Sequence, residues 1–336
     1  DTFSIVVVFL YFKFISTLLF QVLADPLFTF PELLRDSRIV SGWEATEGQI
    51  PYQISLRMVN PAGAVNACGG SILSAQWGLT AAHCTASRVT MVVRAGTVNL
   101  TRPGYIFETT KYFNHPLYNE AFPGVVQPHD IGLLDFGRKI EFNANVQPIR
   151  IQNSASAFRN YAGDRLIASG WGRVSTNGAA PENLNWVFQR GVSNQECSAF
   201  YGGSSIIAPS TICTVYYNVT SQSVCSGDSG GPLTIIDDDG KITQIGVASF
   251  VSGLGCEVGP AGFLRPGPYV EWFETISGET YDWEYPEVPT TAGPGSSESV
   301  APESSESAAS SESAVASESS QSDLFLEDLM DAYQYQ

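Results

Sequence analysis

Between residues 39 and 276 the chain carries short apolar runs punctuated by glycine and proline, with no long stretch of helical periodicity. Alternation of polar and apolar residues is clear in Gln53-Ile54-Ser55-Leu56-Arg57-Met58-Val59, and a second short run is Gln244-Ile245-Gly246-Val247-Ala248-Ser249-Phe250. A period of two sends successive side chains to opposite faces of a strand, so the region predicts an all-β fold. One helix is expected near its end, where Tyr269, Trp272, Phe273 and Ile276 recur at three- and four-residue steps and Pro268 stands at a favourable start.

Both flanks depart from this pattern. Residues 3–23 form an apolar run long enough to span a bilayer, interrupted by Lys13 near its middle. That lysine makes permanent spanning costly, and Val22-Leu23-Ala24 ends the run with the small residue a signal peptidase needs. The expectation is a signal peptide over 1–24, no stable membrane anchor and an extracellular destination. After Ser277 the composition changes abruptly: 281–289 is acidic and aromatic, and 290–322 is dominated by Ser, Glu and Ala. So little apolar surface does not offset chain entropy, and 278–336 reads as a disordered acidic tail. Near its end Leu326, Leu329, Met330 and Tyr333 would share one helix face, a pattern that fits either a partner-binding helix or an idle tail.

The net charge of −17 belongs mostly to that tail. Of 34 acidic residues, 15 follow Arg265 and no lysine or arginine does, which leaves 17 basic against 19 acidic residues before that point. No basic stripe suggests nucleic-acid binding. Six cysteines behind a hydrophobic leader point to an oxidising compartment, and their pairing has many solutions on sequence alone. No cysteine or histidine spacing suggests zinc, and the stretch from Gly96 to Phe107 holds no carboxylate for calcium, so no metal or other cofactor is expected. Asn99-Leu100-Thr101 and Asn218-Val219-Thr220 are glycan acceptor patterns.

Three segments carry candidate chemistry. Cys225-Ser226-Gly227-Asp228-Ser229-Gly230-Gly231-Pro232 sets a serine among glycines, which suits an exposed hydroxyl and free backbone N–H groups; Gly-x-Ser-x-Gly alone also fits a nucleophile elbow. Upstream lie Thr80-Ala81-Ala82-His83-Cys84 and His129-Asp130-Ile131-Gly132-Leu133-Leu134. Serine is a weak nucleophile at neutral pH and needs a base in contact with it, a role suited to histidine. The order His, Asp, Ser decides against an α/β-hydrolase. Together with Ile39-Val40-Ser41-Gly42 after Arg38, these motifs resemble the trypsin/chymotrypsin family over about residues 39–276, with the finer pattern looking like arthropod chymotrypsin-like, elastase-like or collagenase-like enzymes.

The resemblance implies two antiparallel six-stranded β-barrels, about 39–145 and 146–265, with the active site between them and a terminal helix, making 39–277 the protease domain. It implies Ser229 as nucleophile, His83 as base and Asp130 as its orienting acid, with Asp135 the only close rival. Gly227 and Ser229 would supply the oxyanion donors, and Ser249 would support Asp130. His115 and His129 read as surface or loop residues. Implied disulfides are Cys68–Cys84, Cys197–Cys213 and Cys225–Cys256. Residues 25–38 would be a propeptide, cut after Arg38 by a separate trypsin-like protease, so that the new ammonium of Ile39 pairs with Asp228. Ser223 would floor the specificity pocket and Val251 and Ala261 would wall it, which favours an apolar P1 residue over Lys or Arg. Phe250 and Gly132 stand where the family more commonly has tryptophan and alanine. The expected protein is a secreted, monomeric serine endopeptidase acting on protein and peptide substrates and open to protein inhibitors. The alternatives are an inert homologue used as a binding or regulatory module, and an enzyme tethered through its tail.

Overall fold

The computed structural model describes residues 42–285, all within the unit Ser37–Gln336. Strand β2 (Gln53–Val59) pairs antiparallel with β3 (Val65–Ile72) and β5 (Thr90–Ala95), in register Leu56↔Cys68 and Leu56↔Val93. Around them a seven-stranded sheet runs β6 (Tyr105–Thr109), β5, β2, β3, β4 (Trp77–Thr80), β8 (Gly132–Asp135), β7 (Tyr112–Asn114). A second, eight-stranded sheet runs β1 (Trp43–Glu44), β11 (Asn185–Val192), β10 (Arg165–Gly170), β13 (Pro232–Ile236), β14 (Ile242–Phe250), β15 (Ala261–Leu264), β12 (Thr211–Tyr216), with β9 (Arg150–Ile151) parallel to β14. Pairing of β12 back onto β11 closes β10 to β15 into a six-stranded barrel.

The fold is mostly β and chymotrypsin-like, but only the second barrel closes as a ring of six. The first sheet curls until its two edges, β6 and β7, are successive parts of one chain segment broken at Thr110-Lys111. There the Thr109 hydroxyl donates to the Asp135 carbonyl at 2.7 Å and accepts from the Lys111 N–H at 3.1 Å. Such local side-chain bonds compete with the strand ladder and split what would be one strand. A further departure is β1, which crosses the expected boundary to pair with β11, where Trp43 packs on Trp186 and Phe188 at 4.9 and 5.7 Å between centroids.

Alternation in β2 sets Gln53 and Ser55 on one face, and both are buried. Gln53 meets the other sheet, where Ser169 Oγ donates to its Oε1 at 2.7 Å, and nearby Ser71 Oγ of β3 donates to Gln244 Oε1 of β14 at 2.6 Å. Polar residues here are satisfied across a seam between sheets, which is also where the site lies.

The predicted helix spans Val270–Ser277, preceded by a 3₁₀ turn Gly267–Tyr269 that contains Pro268, and ends on Gly278 at φ 70°. Tyr269, Val270 and Phe273 join the core of the first sheet. The folded region then continues past the expected boundary at 277. Trp283 donates from Nε1 to the Ile151 carbonyl at 2.7 Å, and its ring lies under the Arg150 guanidinium at 3.7 Å. The Tyr285 hydroxyl donates to Asp237 at 2.8 Å. Aromatic residues in an acidic stretch find a cation and carbonyls that the sequence pattern does not reveal. Truncation after Ser277 is therefore expected to lower the thermal midpoint relative to truncation after Tyr285. Trp283→Ala alone should cost about 2 kcal/mol in urea unfolding. The N-terminal and C-terminal readings, including the signal, propeptide and acidic tail beyond 285, lie outside the described residues.

Candidate active site

The helix Ala82–Thr85 is short and made of small residues; Ala82 and Cys84 are fully buried and leave only His83 partly exposed. The Cys68–Cys84 disulfide fastens this turn to β3, and Tyr118 packs against Ala82 and Ala86. Asp130, 3% exposed, lies just before β8; Ile131 beside it and Leu133 and Leu134 within the strand are wholly buried. Its Oδ2 accepts from His83 Nδ1 at 2.7 Å and from Ser249 Oγ at 2.6 Å, while Oδ1 accepts from the His83 backbone N–H at 2.8 Å. Burial opposes protonation of His83, but the charge and hydrogen bond of Asp130 outweigh it and leave the imidazole pKa above its ordinary value. Asp135 is directed elsewhere, onto Gln76, Lys111 and the Gly137 N–H.

Gly132 is explained by its neighbour. A Cβ there would come within 2.6 Å of Asn114 Oδ1, the atom that accepts from the hydroxyl of Thr85 on the His83 helix at 2.5 Å. Glycine makes room for a tie between β7 and that helix. Phe250 packs against Tyr201, with ring centroids 5.5 Å apart.

The Ser229 loop is pinned at several points. The Ser229 carbonyl accepts from the Gly69 N–H at 2.7 Å, and the Gly230 N–H donates to the Ala248 carbonyl at 2.7 Å. Cys225–Cys256 ties the loop to the segment after β14, and Cys197–Cys213 braces β12. Gly227 holds φ 102°, open to glycine alone. Among the described residues, the N–H groups of Gly227 and Ser229 donate to no protein acceptor. Gly230 brings the serine loop against the histidine segment: at φ 76°, a Cβ would strike the Thr80 hydroxyl and the Gly69 carbonyl. Gly230→Ala should accordingly cost about 4 kcal/mol or more and abolish turnover, read by urea unfolding and by labelling of Ser229 with a fluorophosphonate.

Asp228 is buried, with its carboxylate accepting from the N–H groups of Gly172 and Cys225 at 2.7 and 2.9 Å. A Cβ at Gly170 or Gly172 would run into that carboxylate. Burial pushes its pKa up to about 6 despite the two hydrogen bonds, and among the described residues no cation pairs with it. Arg38 and Ile39 lie outside the described residues.

Ser223 and Ala261 are buried, and Val251 packs against both the Val224–Ala261 cluster and the Cys225–Cys256 disulfide. Glu257, the carboxylate next to Cys256, is turned onto Thr176, whose backbone and hydroxyl both donate to it. Val251 and Ala261 thus pack in the cluster that holds Val224, the residue after Ser223, and the neighbouring acid Glu257 is already engaged. Of the two glycan patterns, Asn218 is exposed, whereas the Asn99 amide donates to Asn183 at 2.8 Å. The described residues hold one group with ligand spacing, Cys68, His83 and Cys84, and its two sulfurs are joined in a disulfide.

Sequence reading did not single out what surrounds Asp130. His115 and His129, expected as surface or loop residues, stack on each other beside Tyr269 and Trp272. Their proximity arises from packing of the terminal helix, and adjacency of His129 to Asp130 was the only signal in the chain.

A mostly β fold with a serine loop, a histidine bonded to a buried aspartate and free N–H groups at their seam defines the serine endopeptidase class. The trypsin family model matches residues 39–273, and the chain belongs to that family. It is 33% identical over 246 residues to a collagenase of Hypoderma lineatum, covering 73% of this chain and 89% of that one. It is 32% identical to chymotrypsin-like elastase family member 1 of Rattus norvegicus (74% and 91% covered) and 34% identical to chymotrypsin-2 of Vespa crabro (70% and 98%). A solved structure titled HL collagenase superposes with a TM-score of 0.64 at 31% identity, covering 72% of this chain and all of that one.

Proposed function

We propose that this family member is a secreted endopeptidase that works through an acyl-enzyme on Ser229, is made as a precursor activated by cleavage after Arg38, and prefers an apolar P1 residue. The observation that carries the reading is the Asp130–His83 hydrogen bond at 2.7 Å beside a serine loop with free N–H groups. His83 takes the Ser229 proton as the hydroxyl attacks the scissile carbonyl, forming the tetrahedral intermediate. The N–H groups of Gly227 and Ser229 receive the oxyanion, each worth roughly 3 kcal/mol. His83 then gives the proton to the leaving amine, and water repeats the cycle in reverse to release the acid.

Two features support the finer statements. Asp228 is a buried acid without a cation among the described residues, and an ammonium freed at Ile39 would supply one. Ser223 offers no charge to a Lys or Arg side chain, and Val251 narrows its neighbourhood, which suits Leu, Met, Val or Ala ahead of Phe and Tyr. Arg38 does not fit such a pocket, so activation falls to another protease.

The test uses the full chain cut after Arg38 with trypsin, which is then inhibited and removed. Peptides differing only at P1 as Ala, Val, Leu, Phe or Arg are compared beside Ser229→Ala. Turnover of apolar substrates that vanishes in the variant supports the reading. Faster cleavage of the Arg peptide overturns the pocket assignment, and no turnover from correctly cut chain favours a binding module. No helix among the described residues is long and apolar enough to cross a membrane.

A further inference from the structure

Two imidazoles flank the turn that presents Asp130. His115 and His129 stack with ring centroids 5.0 Å apart and planes inclined by 22°. The Tyr269 hydroxyl lies 3.0 Å from His129 Nδ1, and the Tyr269 and Trp272 rings stand edge-on to His115 at 5.0 and 5.2 Å. Backbone bonds tie both histidines to Ile131, the residue after Asp130. The Ile131 N–H donates to the His129 carbonyl at 2.8 Å, and the His115 N–H donates to the Ile131 carbonyl at 3.1 Å. His129 holds φ 61°, uncommon for a residue other than glycine, and its ring contacts sit at that turn.

We propose that His129 is a positioning residue for Asp130, and that the His115–His129 stack loosens this turn when both rings are protonated, giving acid inactivation separate from the titration of His83. The proposal rests on Asp130 being the acid of the triad. One charged ring is tolerated in the stack; a second sets two like charges face to face in a partly buried site. Protonation of His115 at Nδ1 also forfeits the bond it accepts from the Leu117 N–H at 3.4 Å. The groups facing the pair are the Tyr269 hydroxyl, the Trp272 ring and the Leu117 N–H. Asp130, next in the chain to His129, has its oxygens engaged by His83 and Ser249. Burial holds both rings below the ordinary histidine pKa, and the partner ring adds to this for His115. The rings therefore titrate as a coupled pair, in two macroscopic steps. Loss of the stack would pull on both backbone bonds to Ile131 and rotate Asp130 away from His83.

The experiment is the pH profile of kcat/KM on the cut chain between about pH 5 and pH 8, each protein normalised to its own plateau and to active sites titrated at that plateau. Wild type is expected to fall on the acid side with a slope of about two on a log scale, against about one for His129→Asn and His115→Gln. Asparagine suits the positive φ and removes the charge. A second readout needs no turnover. In Ser229→Ala, proton NMR should show the two rings titrating in separate steps, and the proton between His83 and Asp130 should vanish with the second. A wild-type slope of about one, variants as steep as wild type, or a His83–Asp130 proton that survives the second step would overturn the proposal. If wild type shows no turnover dependent on Ser229, the proteolytic reading falls, and the NMR titration still decides the coupling.

Discussion

Replacing Asp130 with asparagine is expected to lower kcat by about four orders of magnitude with little change in KM. The carboxylate accepts three hydrogen bonds, two from His83 and one from Ser249. An amide in its place either turns its NH2 onto His83 Nδ1, which fixes the wrong tautomer, leaves no acceptor for the Ser229 proton and takes the acceptor from Ser249, or sets that NH2 against the His83 backbone N–H, donor facing donor. It also removes the charge that stabilises the imidazolium formed during attack. The pH profile separates these effects from simple misfolding. Asp130 holds the His83 pKa above its ordinary value against burial. The base works only when neutral, so wild-type activity rises as pH climbs through that pKa. In Asp130→Asn burial remains and the charge is gone, which moves the acid limb to lower pH. Ser249→Ala removes one donor to the same carboxylate and should lower kcat/KM only about tenfold. An Asp130→Asn protein with correct disulfides and undiminished activity would exclude the triad as assigned.

Cleavage after Arg38 is expected to reverse the pH dependence of stability, with Asp228 as the cause. Folding raises its pKa from 3.8 to about 6, so the uncut native state binds the proton more tightly than the unfolded chain does. Below pH 3.8 the group imposes no penalty; as pH rises through about 6 the uncut chain loses stability, up to roughly 3 kcal/mol above that range. An Ile39 ammonium beside the carboxylate would lower its pKa and remove the penalty, so the cut chain gains most over the uncut one at neutral pH. Urea unfolding of Ser229→Ala before and after cleavage, across this pH range, measures both arms. Asp228→Asn should flatten the uncut curve and abolish the gain on cleavage. A pH-independent uncut chain, or no gain on cleavage, would count against an Asp228 switch. Through this coupling the buried acid would act as a conformational device, its charge a cost to the uncut chain and paired only after cleavage.

Much of the site could be read from the chain because its chemistry is carried by short segments whose local geometry follows from residue type. Glycines at 227 and 230 have the positive φ that the serine loop requires, and the apolar run after Asp130 is the buried strand β8. The terminal helix was legible because its period of three to four reports a single buried stripe. Alternation in β2 left one point open for a definite reason. It reports two faces and does not say whether the second meets water or another sheet; Gln53 meets Ser169 across the seam. Strand number was equally hidden, since the break at Thr110-Lys111 rests on the bonds linking Thr109 with Asp135 and Lys111.

By itself, then, the sequence determined the all-β class, the order of the three chemical segments and the position of the terminal helix, because each depends on neighbours within a few residues. Tertiary structure alone decided which aspartate reaches His83, that Asp228 lies buried without a cation among the described residues, that Trp283 and Tyr285 return to the second sheet, and that two histidines meet beside Asp130. These are contacts between segments distant along the chain, and packing chooses among many partners that local pattern leaves equivalent.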